Sequence, residues 1–190
     1  MKGKKVVITG IPGVGKTTVI TGAIENLMNE GIPFQSINFG TFMFEMAEKE
    51  ELVKDRDQMR TLDRSIQKEL QARAAENIRN IDGNVIVDTH ASVKTSQGFL
   101  AGLPQWVLQA LSPDSIVLVE ADCDQILLRR LSDESRTRDM EGSRSIEDHQ
   151  QFNRSIAAAY SAMSGCTVII VKNHNGLLNQ AVEDLVKAIR

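Results

Sequence analysis

The apolar positions of this chain gather into short, nearly continuous runs at about 4–9, 84–88, 115–120 and 166–171, with a weaker one from Phe34 to Asn38. Rich in Val and Ile and without polar alternation, such runs are strands covered on both faces. Longer segments between them repeat apolar residues every three or four positions, as a helix with one buried stripe does. Strand and helix in alternation predict a parallel sheet wrapped by helices on both sides. The first helix is expected from Gly15 to about Asn29, ended by Gly31 and Pro33, and the last from Leu177 to Arg190. In the middle, Arg56 to Asn80 carries Met59, Leu62, Ile66 and Leu70 as one buried stripe, with its charges on a solvated face. Least core-like is Ser132 to Glu147, dense in Asp, Glu, Ser and Arg, which reads as a mobile flap.

Composition keeps the organisation simple. With 190 residues, 42% hydrophobic and 25% charged, the chain has the apolar content for one core, and no linker, repeat or low-complexity tract divides it. A net charge of -3 without long single-sign runs argues against a nucleic-acid binder that works by neutralising phosphates. No apolar run reaches the length of a membrane span, and Met1 to Lys5 leads straight into a strand, so a cytoplasmic protein without membrane partners is expected. Cys123 and Cys166 have no ligand or partner spacing, which predicts small buried side chains rather than a disulfide or a zinc site.

Chemistry enters at the end of the first strand. Gly10, Ile11, Pro12, Gly13, Val14, Gly15, Lys16 and Thr17 complete a G-x-x-x-x-G-K-[ST] phosphate-binding loop between a strand and a helix. The glycines let the backbone curl so that its N–H groups face polyphosphate oxygens at a helix start. Lys16 is expected to reach the β- and γ-phosphates of a nucleoside triphosphate, and Thr17 to offer its hydroxyl to Mg²⁺.

Phosphoryl transfer needs alignment, a metal and positive charge around the migrating group. Arginines beyond the loop occur at Arg129, Arg130, Arg136, Arg138, Arg144 and Arg154, although acids between 129 and 154 nearly balance them, so surface ion pairs are the alternative for several. Arg136 and Arg138 lie in the flap-like stretch, which suits guanidinium groups carried into a closing site. Asp88 ends the strand run at 84–88, where the carboxyl ends of a doubly wound sheet face the ligand crevice, and is a candidate to hold Mg²⁺ through water. Thr89 and His90 follow at the same mouth, His90 either functional or a hydrogen-bonded structural histidine. Trp106 reads as core. Asn38 to Thr41 is a strand end turning into a helix at Thr41, whose N-terminus would favour an anionic acceptor. Phe44 reads as packing. Arg56 and Arg60, one helical turn apart, would present two positive heads on one face, towards a monophosphate or towards solvent.

These segments, taken in order, resemble the archaeal adenylate kinases, the trimeric branch of the nucleoside monophosphate kinases. The matching pieces are Gly10 to Thr18, Asn38 to Thr41 with Met43, Phe44 and Glu45, Arg56 to Arg60, Val87 to His90, Gly102 to Pro104, and Arg129 to Leu131 with Asp133 to Asp139. The loop is generic to phosphate-binding folds; Asn-Phe-Gly-Thr and Arg-Asp-Gln-Met-Arg are far more specific. One departure lies in Thr95 to Pro104, where Ser96 and Ala101 stand in place of the family's Lys or Pro pattern. The resemblance implies an α/β P-loop NTPase fold of three layers, with a five-stranded parallel sheet in a single domain over 1–190. A small AMP-binding helical segment at about 36–80 and a short lid at about 132–147 come with it. It further implies the Mg²⁺-dependent reaction ATP + AMP ⇌ 2 ADP, adenine nucleotide homeostasis and a homotrimer. Carried over by position, Gly10 to Thr18 hold ATP, while Phe39, Gly40, Thr41, Arg56, Arg60, Thr89 and His90 lie around AMP. Lys16, Asp88, Arg136 and Arg138 are then the catalytic set, and Thr17 with Asp88 serves the metal, partly through water. Two rivals stand beside this expectation: a kinase for another nucleoside monophosphate or small metabolite, and an ATPase module that acts on a protein or RNA partner.

Overall fold

The computed structural model describes residues 3–132 and 142–190. In chain order its strands are β1 (Lys5–Thr9), β2 (Phe34–Asn38), β3 (Asn84–Asp88), β4 (Ser92–Thr95), β5 (Gly98–Ala101), β6 (Ser115–Glu120) and β7 (Thr167–Lys172). The helices are α1 (Lys16–Asn29), α2 (Phe39–Lys49), α3 (Arg64–Arg79), α4 (Gln105–Leu111), α5 (Cys123–Leu131), α6 (Ser143–Ser164) and α7 (Leu178–Ile189). A 3-10 turn occupies Asp57–Arg60.

Five strands form one parallel sheet in the order β2-β3-β1-β6-β7, and each corresponds to a predicted apolar run. Successive side chains of a strand serve opposite faces. Val6 and Ile8 of β1, Ile86 of β3, and Val117 and Val119 of β6 accordingly pack with α1 and α7. Their neighbours Val7, Val85, Val87, Ile116 and Leu118 pack with α3 and α4 on the other side. The arrangement is the expected α/β sandwich of helices, sheet and helices. Among the described residues no helix is long and apolar enough to cross a membrane. Cys123 is half-buried and Cys166 buried, both as free thiols.

The segment from Arg56 to Asn80 is not one helix. Asp63 caps α3 by accepting from Ser65 N at 2.7 Å, and the chain before it closes into the 3-10 turn. The predicted stripe breaks there. Ile66 is 38% exposed, whereas Leu70, Ala74, Ala75 and Ile78 form the buried face. Met59 and Leu62 instead pack with Ala47, Val53, Leu70 and Phe44 in a small separate cluster beneath α2. This segment thus rests on a small core of its own.

A further element, the antiparallel β4–β5 hairpin, had no apolar run to announce it. Only one of its faces is covered. On that face Ser92 Oγ donates to Asn153 Oδ1 at 2.5 Å and lies 3.1 Å from His149 Nε2, while Phe99 stacks on Phe152 with ring centroids 4.4 Å apart. Helix α6 therefore clamps the hairpin beside the exit of β3.

Candidate active site

The loop after β1 has the geometry that its glycines allow. Gly13 and Gly15 take φ of 95° and 80°, values that a side chain disfavours, and α1 starts directly after at Lys16. A Cβ on Gly10 would stand 2.6 Å from the Val119 carbonyl oxygen, so β1 leaves the sheet hard against β6. The loop's carbonyls are anchored from behind. Arg130 Nε donates to Pro12 O at 2.8 Å; Arg129 Nη1 donates to Gly13 O at 3.4 Å and Val14 O at 3.2 Å; Asn173 Nδ2 donates to Val14 O at 2.8 Å. Arg129 itself is held by Asn173 O at 2.9 Å and Asn175 Oδ1 at 2.6 Å. In a trans peptide the N–H points opposite to the C=O, so fixing these carbonyls turns the following amides the other way.

This use of Arg129 and Arg130 was not foreseen. Both stand among the candidates for phosphate contact or surface pairing, and the structure places Arg129 Nη1 and Arg130 Nε on the loop's carbonyls. Arg154, a third candidate, is a partner of Glu120, which it meets through Nε at 2.7 Å and Nη2 at 2.5 Å, with Lys172 Nζ at 2.7 Å on the same carboxylate. Burial alone would raise the Glu120 carboxyl, but the two cations outweigh it and hold it below the ordinary range.

At the centre of the crevice Lys16 and Asp88 form an ion pair, with side chains only 12% and 16% exposed. Lys16 Nζ also donates to the Thr89 carbonyl at 2.8 Å. Strand register sets Asn38 opposite Asp88, and Asn38 Nδ2 donates to Asp88 Oδ2 at 3.4 Å. Helix α2 begins two residues earlier than expected, at Phe39, because Asn38 rather than a later residue is its cap: Oδ1 accepts from Thr41 N at 3.0 Å. Phe39 is buried and packs into the core at this corner. Arg56 Nη2 donates to Thr41 Oγ1 at 2.8 Å, and Gly40 leaves that guanidinium room, since a Cβ there would sit 3.5 Å from Nη2. Arg60 is at the end of the 3-10 turn Asp57–Arg60, so it and Arg56 are not one α-helical turn apart as the spacing predicts.

Beyond β3, Thr89 is buried, its N–H bonded to Ile8 O at 3.1 Å, and Ala91 N donates to Thr9 Oγ1 at 2.5 Å. His90 faces the crevice. Desolvation, and then the charge of Lys16, push its imidazole below the ordinary histidine value, against the opposing pull of Asp88 and the Gly10 carbonyl. A lowered value favours the neutral ring, which offers hydrogen bonds rather than charge. Thr17 and Thr18 are exposed at the start of α1. The expected lid arginines, Arg136 and Arg138, lie outside the described residues, as does most of the 132–147 segment.

Among the described residues no three His, Cys, Asp or Glu side chains converge to hold a metal ion unaided. The Thr17 hydroxyl and Asp88 carboxylate are hard oxygen donors at one end of the sheet. So small a set suits Mg²⁺ bound chiefly by substrate phosphates and water.

Comparison with known proteins agrees with this geometry. A family profile described as an AAA domain matches residues 9–147. The adenylate kinase of Methanoculleus marisnigri is 59% identical over 192 aligned positions covering all of both chains, and that of Methanocaldococcus jannaschii 50% identical with the same coverage. Among solved structures, shikimate kinase from Bacteroides thetaiotaomicron superposes with a TM-score of 0.58 at 12% identity over 97% of each chain, a likeness of fold alone. With identity at this level from end to end, the chain belongs to the adenylate kinase family.

Proposed function

We infer that the chain transfers the γ-phosphoryl group of ATP reversibly to AMP, giving two ADP. One observation carries this: two helix N-termini, α1 with its glycine loop and α2 with Arg56 beside it, are tied to the same carboxylate, Asp88. Each is an anion site by the unsatisfied N–H groups of a helix start. A plain ATPase needs only the first.

In this reading Gly10 to Thr18 hold the triphosphate and Lys16 exchanges Asp88 for the β- and γ-oxygens. Phe39, Gly40, Thr41, Arg56 and Arg60 receive the monophosphate, with Thr89 and His90 between the two nucleotides. Segment 36–80 is then the acceptor side of a single domain. A phosphate oxygen of AMP attacks the γ-phosphorus as its bond to the ADP oxygen breaks, and no proton has to move, so no general base is required. Thr17 and Asp88 would hold Mg²⁺, which supplies charge neutralisation between the phosphates when bound. A cytoplasmic homotrimer is carried by the resemblance to the archaeal enzymes.

The test is ³¹P NMR with MgATP and AMP, GMP, CMP or UMP in turn. Paired loss of triphosphate and monophosphate with AMP alone is the expected result. Conversion of another acceptor would move the assignment to a different kinase, and free phosphate released without acceptor would move it to an ATPase module. Arg136 and Arg138 are proposed as lid groups that meet the charge of the transition state. Alanine at either is expected to lower kcat more than it weakens nucleotide binding, which steady-state kinetics beside equilibrium titration would measure. An unchanged kcat in both variants would remove them from the site.

A further inference from the structure

The roles assigned above leave Asn38 with nothing but a helix to cap, yet its side chain works at both ends. Oδ1 accepts from Thr41 N at 3.0 Å and from Thr41 Oγ1 at 3.1 Å, while Nδ2 donates to Asp88 Oδ2 at 3.4 Å. The cap requires an acceptor and the carboxylate a donor, which fixes how the amide is turned. The Thr41 hydroxyl, having given its proton to Asn38, accepts from Arg56 Nη2 at 2.8 Å. Donation therefore runs one way, from Arg56 to Thr41 to Asn38 to Asp88, and Lys16 arrives at the other oxygen of the same carboxylate. Hydrogen bonds aligned in this manner reinforce one another.

Capping alone does not call for asparagine, since Asp and Ser serve as well. An amide of this size caps and also donates to a carboxylate. When Lys16 turns to phosphate, Asp88 loses its cation partner, and the amide of Asn38 is the donor that still holds it.

We propose that Asn38 is a positioning residue for phosphoryl transfer, holding Asp88 on the donor side in register with the Thr41–Arg56 arm on the acceptor side. This rests on the site assignment of the preceding section.

Two variants keep the cap and cut the link. Asn38→Asp is isosteric but sets carboxylate against carboxylate; Asn38→Ser is neutral and too short to reach Asp88. Each is expected to fold with wild-type thermal stability, to lower kcat about tenfold, and to leave KM for ATP within about threefold. Thr41→Val, which severs the Arg56 arm, is expected to raise KM for AMP about fivefold with a smaller change in kcat. Wild-type kcat in both Asn38 variants would reduce Asn38 to a cap and overturn the proposal. So would a loss of activity that only tracks a loss of folded protein, as judged against the uncapped Asn38→Ala. Full turnover in Asp88→Asn would instead overturn the site assignment, and the proposal with it.

Discussion

Replacing Lys16 by alanine is expected to lower kcat by about 10³-fold or more while leaving the fold in place. The two halves of that expectation come from different features of the site. For turnover, Lys16 is the one side-chain cation at the head of α1 within the loop, and its charge acts inside a crevice where 12% and 16% exposure of the Lys16 and Asp88 side chains keeps water sparse. Charge met by a preorganised cation in such a site is worth far more than in bulk water. For stability, Lys16 is a poor contributor. Its removal leaves Asp88 with the Asn38 amide, and leaves the Thr89 carbonyl to be hydrated. A loss of about 1–3 kcal/mol is expected from breaking a largely buried ion pair whose carboxylate keeps an amide donor. A coupled steady-state assay beside a thermal melt separates the two. A kcat within tenfold of wild type in a folded Lys16→Ala protein would show that the loop amides carry the phosphates without it.

What the sequence could disclose depends on whether a contact leaves a local pattern. The five sheet strands were legible because both faces are covered, so each is an unbroken apolar run such as Val85, Ile86 and Val87. The loop was legible because its backbone shape demands glycine at set positions, and Gly13 and Gly15 do take positive φ. The hairpin was not, since its strands are only four residues long: β4 has Val93 alone, and Phe99, Leu100 and Ala101 of β5 are too short a run to announce a strand, with Val93 and Leu100 exposed. The carbonyl contacts of Arg129 and Arg130 were not legible for another reason. Their partners are main-chain carbonyls of Pro12, Gly13 and Val14, more than a hundred residues away and present in every residue type. No sequence pattern marks a carbonyl as an acceptor. The dense acids around these arginines suggested ion pairs instead, and Arg154 does form one, though with Glu120 from outside that stretch. For Arg56 and Arg60 only the local shape differs: the spacing fits an α-helical face, but the chain there forms a 3-10 turn.

The second large effect is expected at Gly102, which the sequence showed only as part of Gly-Leu-Pro. Gly102→Ala should cost about 3 kcal/mol or more and lower Tm by roughly 10 °C. A Cβ at this position would lie 1.8 Å from the His90 carbonyl oxygen, 2.7 Å from its carbon and 3.0 Å from the carbon of Ala91. All three are backbone atoms, so no side chain can swing aside. Relief must come by parting two segments that buried hydrogen bonds hold together: Gly102 N to Ala91 O at 2.8 Å, Tyr160 OH to the same oxygen at 2.8 Å, and Leu103 N to Tyr160 OH at 3.1 Å. Each bond lost with its partner left buried costs about 1 kcal/mol or more, which sets the scale of the estimate. The damage should also reach the chemistry. The segment pushed is the exit of β3, where the Thr89 carbonyl receives Lys16 and the His90 ring faces the crevice, so kcat should fall even at temperatures where the variant is folded. Gly142 supplies the control, with φ of -69° and nothing within 4 Å of its would-be Cβ, and alanine there should change Tm by no more than about 2 °C. Equal melting of the two variants would mean that the hairpin does not close on His90 in solution; a Gly102→Ala protein that melts early and turns over slowly, beside an unaffected Gly142→Ala, would show that this close approach of two backbones fixes the position of the β3 exit against Lys16.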